Sequence, residues 1–192
     1  MNKPGKLYIL ILIAGLMSAC SMTRFSGMTT LFDGNSMENW NPIGNADWTF
    51  RDGYVEGANN PGFLVSEREY DDFRLVVEFW TDEPANSGVF IRCQDSQNVT
   101  ATNCYEVNIY DTRPDPTYRT GSIVNVAAPA QMIDAANQWN RFEIVAQGSN
   151  LKINLNGIDT VDVNDEQFDS GSIALQYGSG VVRFREVRLQ EL

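Results

Sequence analysis

"NSGVFIRCQDSQNVTATNCYEVNIYD", residues 86–111, decides how the rest of the chain is read. It alternates as two strands would: Val89, Ile91 and Cys93, then Tyr105, Val107 and Ile109, against Phe90, Arg92, Glu106, Asn108 and Tyr110. Successive strand side chains point to opposite faces, so the first set is expected in a core and the second on an outer face. Cys93 and Cys104 bracket the polar loop "QDSQNVTATN". A hairpin with an arginine, a glutamate and an amide on one side poses two readings. That side is solvated surface with an Arg92–Glu106 ion pair, worth about 0–1 kcal/mol if exposed, or it is the floor of a polar site.

Working outward, the pattern from Thr29 onward is strand, turn, strand, with no sustained helical period. "DDFRLVVEFWT" (71–81) turns Glu78 and Trp80 outward, and "GSIALQY" (171–177) does the same with Ser172, Ala174 and Gln176. Asp52-Gly53 and Asn156-Gly157 are hairpin turns. Only "PAQMIDAANQ" (129–138) suggests a helical turn. Ten or more strands at this spacing predict an all-β antiparallel β-sandwich, with a closed barrel as the competing architecture. Trp40, Trp48 and Trp139 are expected to pack in the core or at its rim.

The N-terminus reads as a leader. Lys3 and Lys6 precede an apolar run from Leu7 to Met17, too short to span a bilayer, and Met17-Ser18-Ala19-Cys20 resembles the bacterial lipobox. The expected organisation is a signal peptide at 1–19, lipidated Cys20 opening a tether at 20–28, and one domain at 29–192. A plain signal ending by chance at a cysteine is the alternative. Ser21 after the cysteine favours the periplasmic face of the outer membrane, with the lipid as the membrane contact. The whole chain carries 14 basic and 25 acidic residues, a net charge of −11, and loss of the leader makes it more acidic. Such a surface repels phosphate backbones, so nucleic acid is not an expected partner. Cys93 and Cys104 are expected to form a disulfide worth about 3 kcal/mol, free thiols being the alternative. The chain has no histidine, which argues against a zinc site.

An outward set of Arg92, Glu78, Glu106, Asn108, Gln176, Trp80, Phe90 and Tyr110 suits a sugar, which offers C–H faces to stack and hydroxyls to pair. "LFDGNSMENWN", "NSGVFIR", "YEVNIYD", "QWNRFEIVAQGSNLKINLNG" and "GSIALQYGSGVVRFREVRL" also occur in the order found in the 3-keto-disaccharide hydrolase domain family, which the chain resembles from Thr29 to Leu192. The resemblance implies a concanavalin A-like jelly-roll β-sandwich, a periplasmic or surface setting, and action on glycosides oxidised at the sugar C3. Three positions depart from the family pattern: Asn108 replaces a glutamine, "GSIV" (121–124) replaces "GAIY", and Tyr177 follows Gln176 where many members have histidine.

A C3 ketone acidifies the C2 hydrogen and places the C1 leaving group β to the resulting carbanion. Glu106 is expected as the base, Arg92 as the enolate stabiliser, and Glu78 or Asp111 as an acid or metal ligand. Asn108 and Gln176 would hold hydroxyls, Trp80 would stack, and Tyr110 would line the site. These roles follow chemical suitability and expected facing, with Arg92, Glu106 and Asp111 at family motif positions. Other readings remain: a two-carboxylate glycosidase using Glu78 and Glu106, or a non-catalytic carbohydrate-binding or structural lipoprotein. The acidic loops "DTRPDP" and "DVNDEQFD" admit a divalent cation such as calcium, although neither has EF-hand spacing.

Overall fold

The computed structural model describes residues 27–192, so the expected leader, the lipidation site Cys20 and nearly all of the tether lie outside the described residues. The strands are β1 (Thr29–Phe32), β2 (Trp40–Arg51), β3 (Tyr54–Tyr70), β4 (Phe73–Thr81), β5 (Ser87–Cys93) and β6 (Tyr105–Ile109), followed by β7 (Trp139–Gln147), β8 (Asn150–Leu155), β9 (Ile158–Asn164), β10 (Gly171–Tyr177) and β11 (Val182–Glu191). They form one sheet in the order β6-β5-β10-β3-β11-β4-β7-β8-β9, with β2 on β3 and β1 on β11. Strand β3 is the hinge: residues 62–70 pair with β10, whereas residues 55–57 pair with β11. The sheet thereby curls into two layers. Leu64, Val89, Ile91, Val107 and Leu175 of one layer share a core with Leu75, Val77, Phe79, Phe142 and Ile144 of the other. Each such side chain stabilises the fold by about 1.5–3 kcal/mol when fully buried. The expected jelly-roll sandwich is therefore present, and the sheet order ends at β6 and β9 instead of closing a barrel.

Both expected turns form. Asn156 and Gly157 sit at φ 53° and 90° between the paired Leu155 and Ile158, and Asp52 and Gly53 do the same between Arg51 and Tyr54. That doubly left-handed geometry matches the twist of the strands it joins. The segment 129–138 is not helical. Its amides are spent elsewhere: Ala130 donates to Thr160 O, Ala135 and Ala136 to Asp111 Oδ2, and Asn137 to Thr81 O. A short 3₁₀ turn forms instead at Pro116–Tyr118.

The expected alternation fails at one residue. Arg92 has φ 53°, and the pairing of β5 with β10 slips, so that Ile91 and Arg92 together stand opposite Ile173. A bulge of this kind reverses which way the following side chain points. Cys93 accordingly leaves the core face and joins Phe90, Val99, Cys104, Val65 and Ala174 on the outer face, where it forms the disulfide with Cys104. Gly171 lies against the bulge, and a Cβ there would stand 2.4 Å from Cys93 O.

Arg92 itself does not face outward as expected; it is 1% exposed. Its Nε and Nη2 donate to Asp71 O (3.0 and 2.8 Å), and its Nη1 to Gly148 O (2.8 Å) and Phe168 O (3.1 Å). Nη2 also meets Asp72 Oδ1 at 3.1 Å. One guanidinium thus ties the β3–β4 turn, the β7–β8 turn and the β9–β10 connection at one end of the sandwich. Arg92→Leu would orphan several carbonyls at about 1–3 kcal/mol each. Urea denaturation should show a loss of about 3 kcal/mol or more, and a loss below about 1 kcal/mol would contradict this role.

Candidate functional site

The outer face of the layer containing β5, β6 and β10 is read off the strand register. Gly88 faces Asn108 and Phe90 faces Glu106 across β5 and β6. Ala174 faces Phe90 and Leu175 faces Val89, so continuing the register sets Gln176 beside Gly88, and Ser87 Oγ donates to Gln176 O at 2.7 Å. On the free edge of β6, residues 121–124 add a further antiparallel run. Asn108 N donates to Ser122 O, Gly121 N to Asn108 O and Val124 N to Glu106 O. The result is one row across the face, Gln176, Gly88, Asn108, Ser122, beside a second, Ala174, Phe90, Glu106, Val124.

The first row is polar and unsatisfied. Gln176 Oε1, Asn108 Oδ1 and Ser122 Oγ are buried without a hydrogen-bond partner. A buried polar group left this way costs about 1–3 kcal/mol, and its presence calls for an explanation. Asn108 is fixed by its other end, since Nδ2 donates to Tyr118 O. Two amide oxygens that accept, and a hydroxyl that accepts or donates, are what a row of sugar hydroxyls would satisfy. Ser122 was not expected here. Its only sequence signal was the departure of "GSIV" from the family pattern, because its place on this face depends on a long-range pairing.

Glu106 stands over Gly88. A Cβ on that glycine would lie 3.4 Å from Glu106 Cγ and 3.1 Å from Phe90 Cε2, so the missing side chain makes room for the carboxyl. Among the described residues, no hydrogen bond or ion pair reaches that carboxyl. Burial pushes its pKa from 4.5 up to about 7, against a smaller downward pull from the Arg113 charge. A carboxyl that titrates near neutrality, with nothing holding it, is equipped to accept and return a proton.

The other expected residues divide. Arg92 is bonded away at the end of the sandwich, so it cannot meet an enolate above Glu106. Asp111 closes a loop: Oδ1 accepts from Thr120 Oγ1, and Oδ2 accepts from Ala135 N (2.7 Å) and Ala136 N (2.8 Å). Both of its oxygens are occupied. Glu78 and Trp80 do point outward, but from β4 in the opposite layer, where Glu78 pairs with Arg185 Nε at 2.5 Å and Trp80 lies under Arg183. The shared site with Glu106 expected for them is therefore not formed. Tyr110 follows Asn108 beyond the end of β6, its amide donating to Thr120 Oγ1 at 2.9 Å. Among the described residues, no cluster of three or more carboxylate, cysteine or histidine groups stands where it could hold a metal ion. In the two acidic loops, Asp115 and Asp165 accept from the turn amides of Thr117 and Gln167.

The sign of the Glu106 effect on stability follows from its raised pKa. Between about pH 4.5 and 7 the folded chain holds a proton that the unfolded chain has released, so stability falls as pH rises through that window. Glu106→Gln should match the parent near pH 4 and exceed its stability above pH 7 by up to about 3 kcal/mol. Urea titrations at both pH values measure this, and an equal offset at each would contradict the assignment.

Comparison with solved structures places the fold. A provisionally assigned glycosyl hydrolase from Parabacteroides distasonis superposes with TM-score 0.72 at 23% identity, covering 86% of this chain and 99% of the other. A second from the same organism gives 0.76 at 17%, covering 86% and 94%. The carbohydrate-binding module CBM66 from Bacillus subtilis gives 0.61 at 18%, covering 86% and 96%. At these identities the likeness speaks for the fold alone. No curated protein matches the chain. The family profile described as the 3-keto-alpha-glucoside-1,2-lyase-like domain matches residues 27–190. With nearly every described residue inside that match, the chain belongs to the 3-keto-α-glucoside-1,2-lyase-like family.

Proposed function

We propose that this chain is a carbohydrate-active domain that takes a 3-keto-glycoside on the outer face of β5, β6 and β10, with Glu106 as the base. The observation that carries this is Glu106 itself: buried, unpaired and titrating near neutrality beside a row of unsatisfied hydrogen-bonding groups. Family membership supports the substrate class. Asn108, Gln176 and Ser122 hold hydroxyls of the ring. Glu106 takes the C2 proton, and the C2–H electron pair becomes an enolate over C2, C3 and the keto oxygen. That pair returns to expel the C1 oxygen, which departs with the proton that Glu106 took from C2 and leaves an enone. Water added across the double bond completes net hydrolysis, with no change of oxidation state overall. Elimination needs one base, which suits a face where Glu78 and Asp111 are engaged elsewhere, whereas an ordinary glycosidase needs two carboxylates around one bond.

The competing reading, a non-catalytic sugar-binding domain, is favoured by the same unsatisfied row, which would bind an unoxidised sugar equally well. The Cys20 lipid anchor and the periplasmic face of the outer membrane complete the proposal for the cellular setting.

Incubation with a 3-keto-glucoside in deuterated water should release the aglycone and exchange deuterium into C2. The rate should rise with pH through about 7 as Glu106 ionises. Glu106→Gln should lower kcat by about 100- to 10,000-fold. Unchanged turnover in that variant sinks the base assignment, and saturable binding without turnover by the parent supports the binding domain.

A further inference from the structure

The cation expected at Arg92 has another candidate in the loop after β6. In a chain with net charge −11, every described arginine except Arg113 and Arg119 lies within 4.0 Å of a carboxylate. The described lysine, Lys152, pairs with Asp159 on β9 of the other layer. Both exceptions stand in the segment that joins β6 to the 121–124 edge. Arg119 lines a separate cavity of about 470 Å³ with Glu83 and Asp134. Arg113 is the charge that acts on Glu106, and it acts also on Asp115, the carboxylate two residues along its own loop.

The loop holds Arg113 in place from several sides. Its amide donates to Tyr110 O (3.4 Å), its carbonyl accepts from Arg119 Nε (3.0 Å), and its guanidinium lies over the Tyr118 ring at 5.4 Å. Tyr118 is in turn gripped by Asn108 Nδ2 through its carbonyl. The polar row and Arg113 are thus parts of one connected unit. Against Glu106, β5 presents Gly88 and Phe90, β6 presents Asn108, and the 121–124 edge presents Val124, so none of these elements supplies a competing charge.

We propose that Arg113 is the catalytic cation of this site, its guanidinium receiving the negative charge that builds on the keto oxygen of a 3-keto sugar; this rests on reading the face as a 3-keto-glycoside site. The enolate places its charge on that oxygen as Glu106 takes the C2 proton. A planar guanidinium donor fork is suited to hold it. Because the charge exists only after proton abstraction, the contact strengthens on the way to the transition state and acts on kcat more than on KM.

The test compares the full domain with Arg113→Gln, Arg113→Lys and, as a charge-matched control on the far layer, Arg74→Gln, using a 3-keto-glucoside. Arg113→Gln should lower kcat about 100- to 1,000-fold with KM within about threefold, Arg113→Lys should recover part of the loss, and Arg74→Gln should match the parent. Without sugar, the ¹³C carboxyl titration of Glu106 should move to higher pH in Arg113→Gln and stay in place in Arg74→Gln, a change that mere loop support would not produce. If the parent turns over and Arg113→Gln keeps kcat within threefold, or if the Glu106 midpoint stays put, the role of Arg113 is overturned. If the parent shows no turnover, the underlying reading fails and takes this role with it.

Discussion

The left-handed bulge at Arg92 is the constraint on which the rest of the structure depends. One residue out of step sends the arginine into the end of the sandwich and Cys93 out of the core. The first consequence is mechanical, since three connections at that end are bound by one guanidinium. The second is architectural. Cys93 reaches Cys104 across the outer face, and Val99 of the intervening loop packs over Phe90 there. That face is thereby divided into an apolar part, with Phe63 and Val65 beside the disulfide, and the polar row along Gln176, Gly88, Asn108 and Ser122.

The two outer faces of the molecule treat charge in opposite ways. On the layer of β4, β7 and β11, Arg183 lies against Tyr54 and Trp80 and meets Glu56, while Arg185 lies on Trp139 and meets Glu78. Each of these charged groups has a partner, and their arrangement is explained as packing and solvation of a surface. On the other face, Glu106 is desolvated without a partner, and three neighbours keep unmet hydrogen-bonding capacity. A folded chain retains local costs of this kind mainly where a ligand relieves them. Burial alone would be satisfied as well by an apolar residue at 106.

Much of this was legible in the sequence, and the failures have physical causes. Period two correctly put Glu106, Asn108 and Gln176 on an outer face, and the asparagine–glycine and aspartate–glycine pairs located their turns because few other residues tolerate positive φ twice in succession. The bulge left no trace, since an arginine is not a residue that announces a left-handed conformation. Alternation also says nothing about which layer a strand joins, so Glu78 and Trp80 were given the right direction and the wrong side. Asp111 looked catalytic by its chemistry and motif position, yet Oδ2 is claimed by amides more than twenty residues away and Oδ1 by the Thr120 hydroxyl. Ser122 and Arg113 could not be placed, because the pairing of 121–124 with β6 and the path of the loop before it are set by tertiary contacts.

The central claim is that ligand recognition belongs to the face carrying Glu106 and to no other surface of the domain. Titration of the isotopically labelled protein with a 3-keto-glucoside, followed through amide and indole NMR signals, tests it most directly. Saturable shifts at the Asn108 and Gln176 side-chain amides and at the Gly88 and Ser122 backbone, with the Trp80 and Trp139 indoles unmoved, are the predicted result. Shifts centred on Trp80 and Trp139, with the Asn108 and Gln176 amides unmoved, would contradict it.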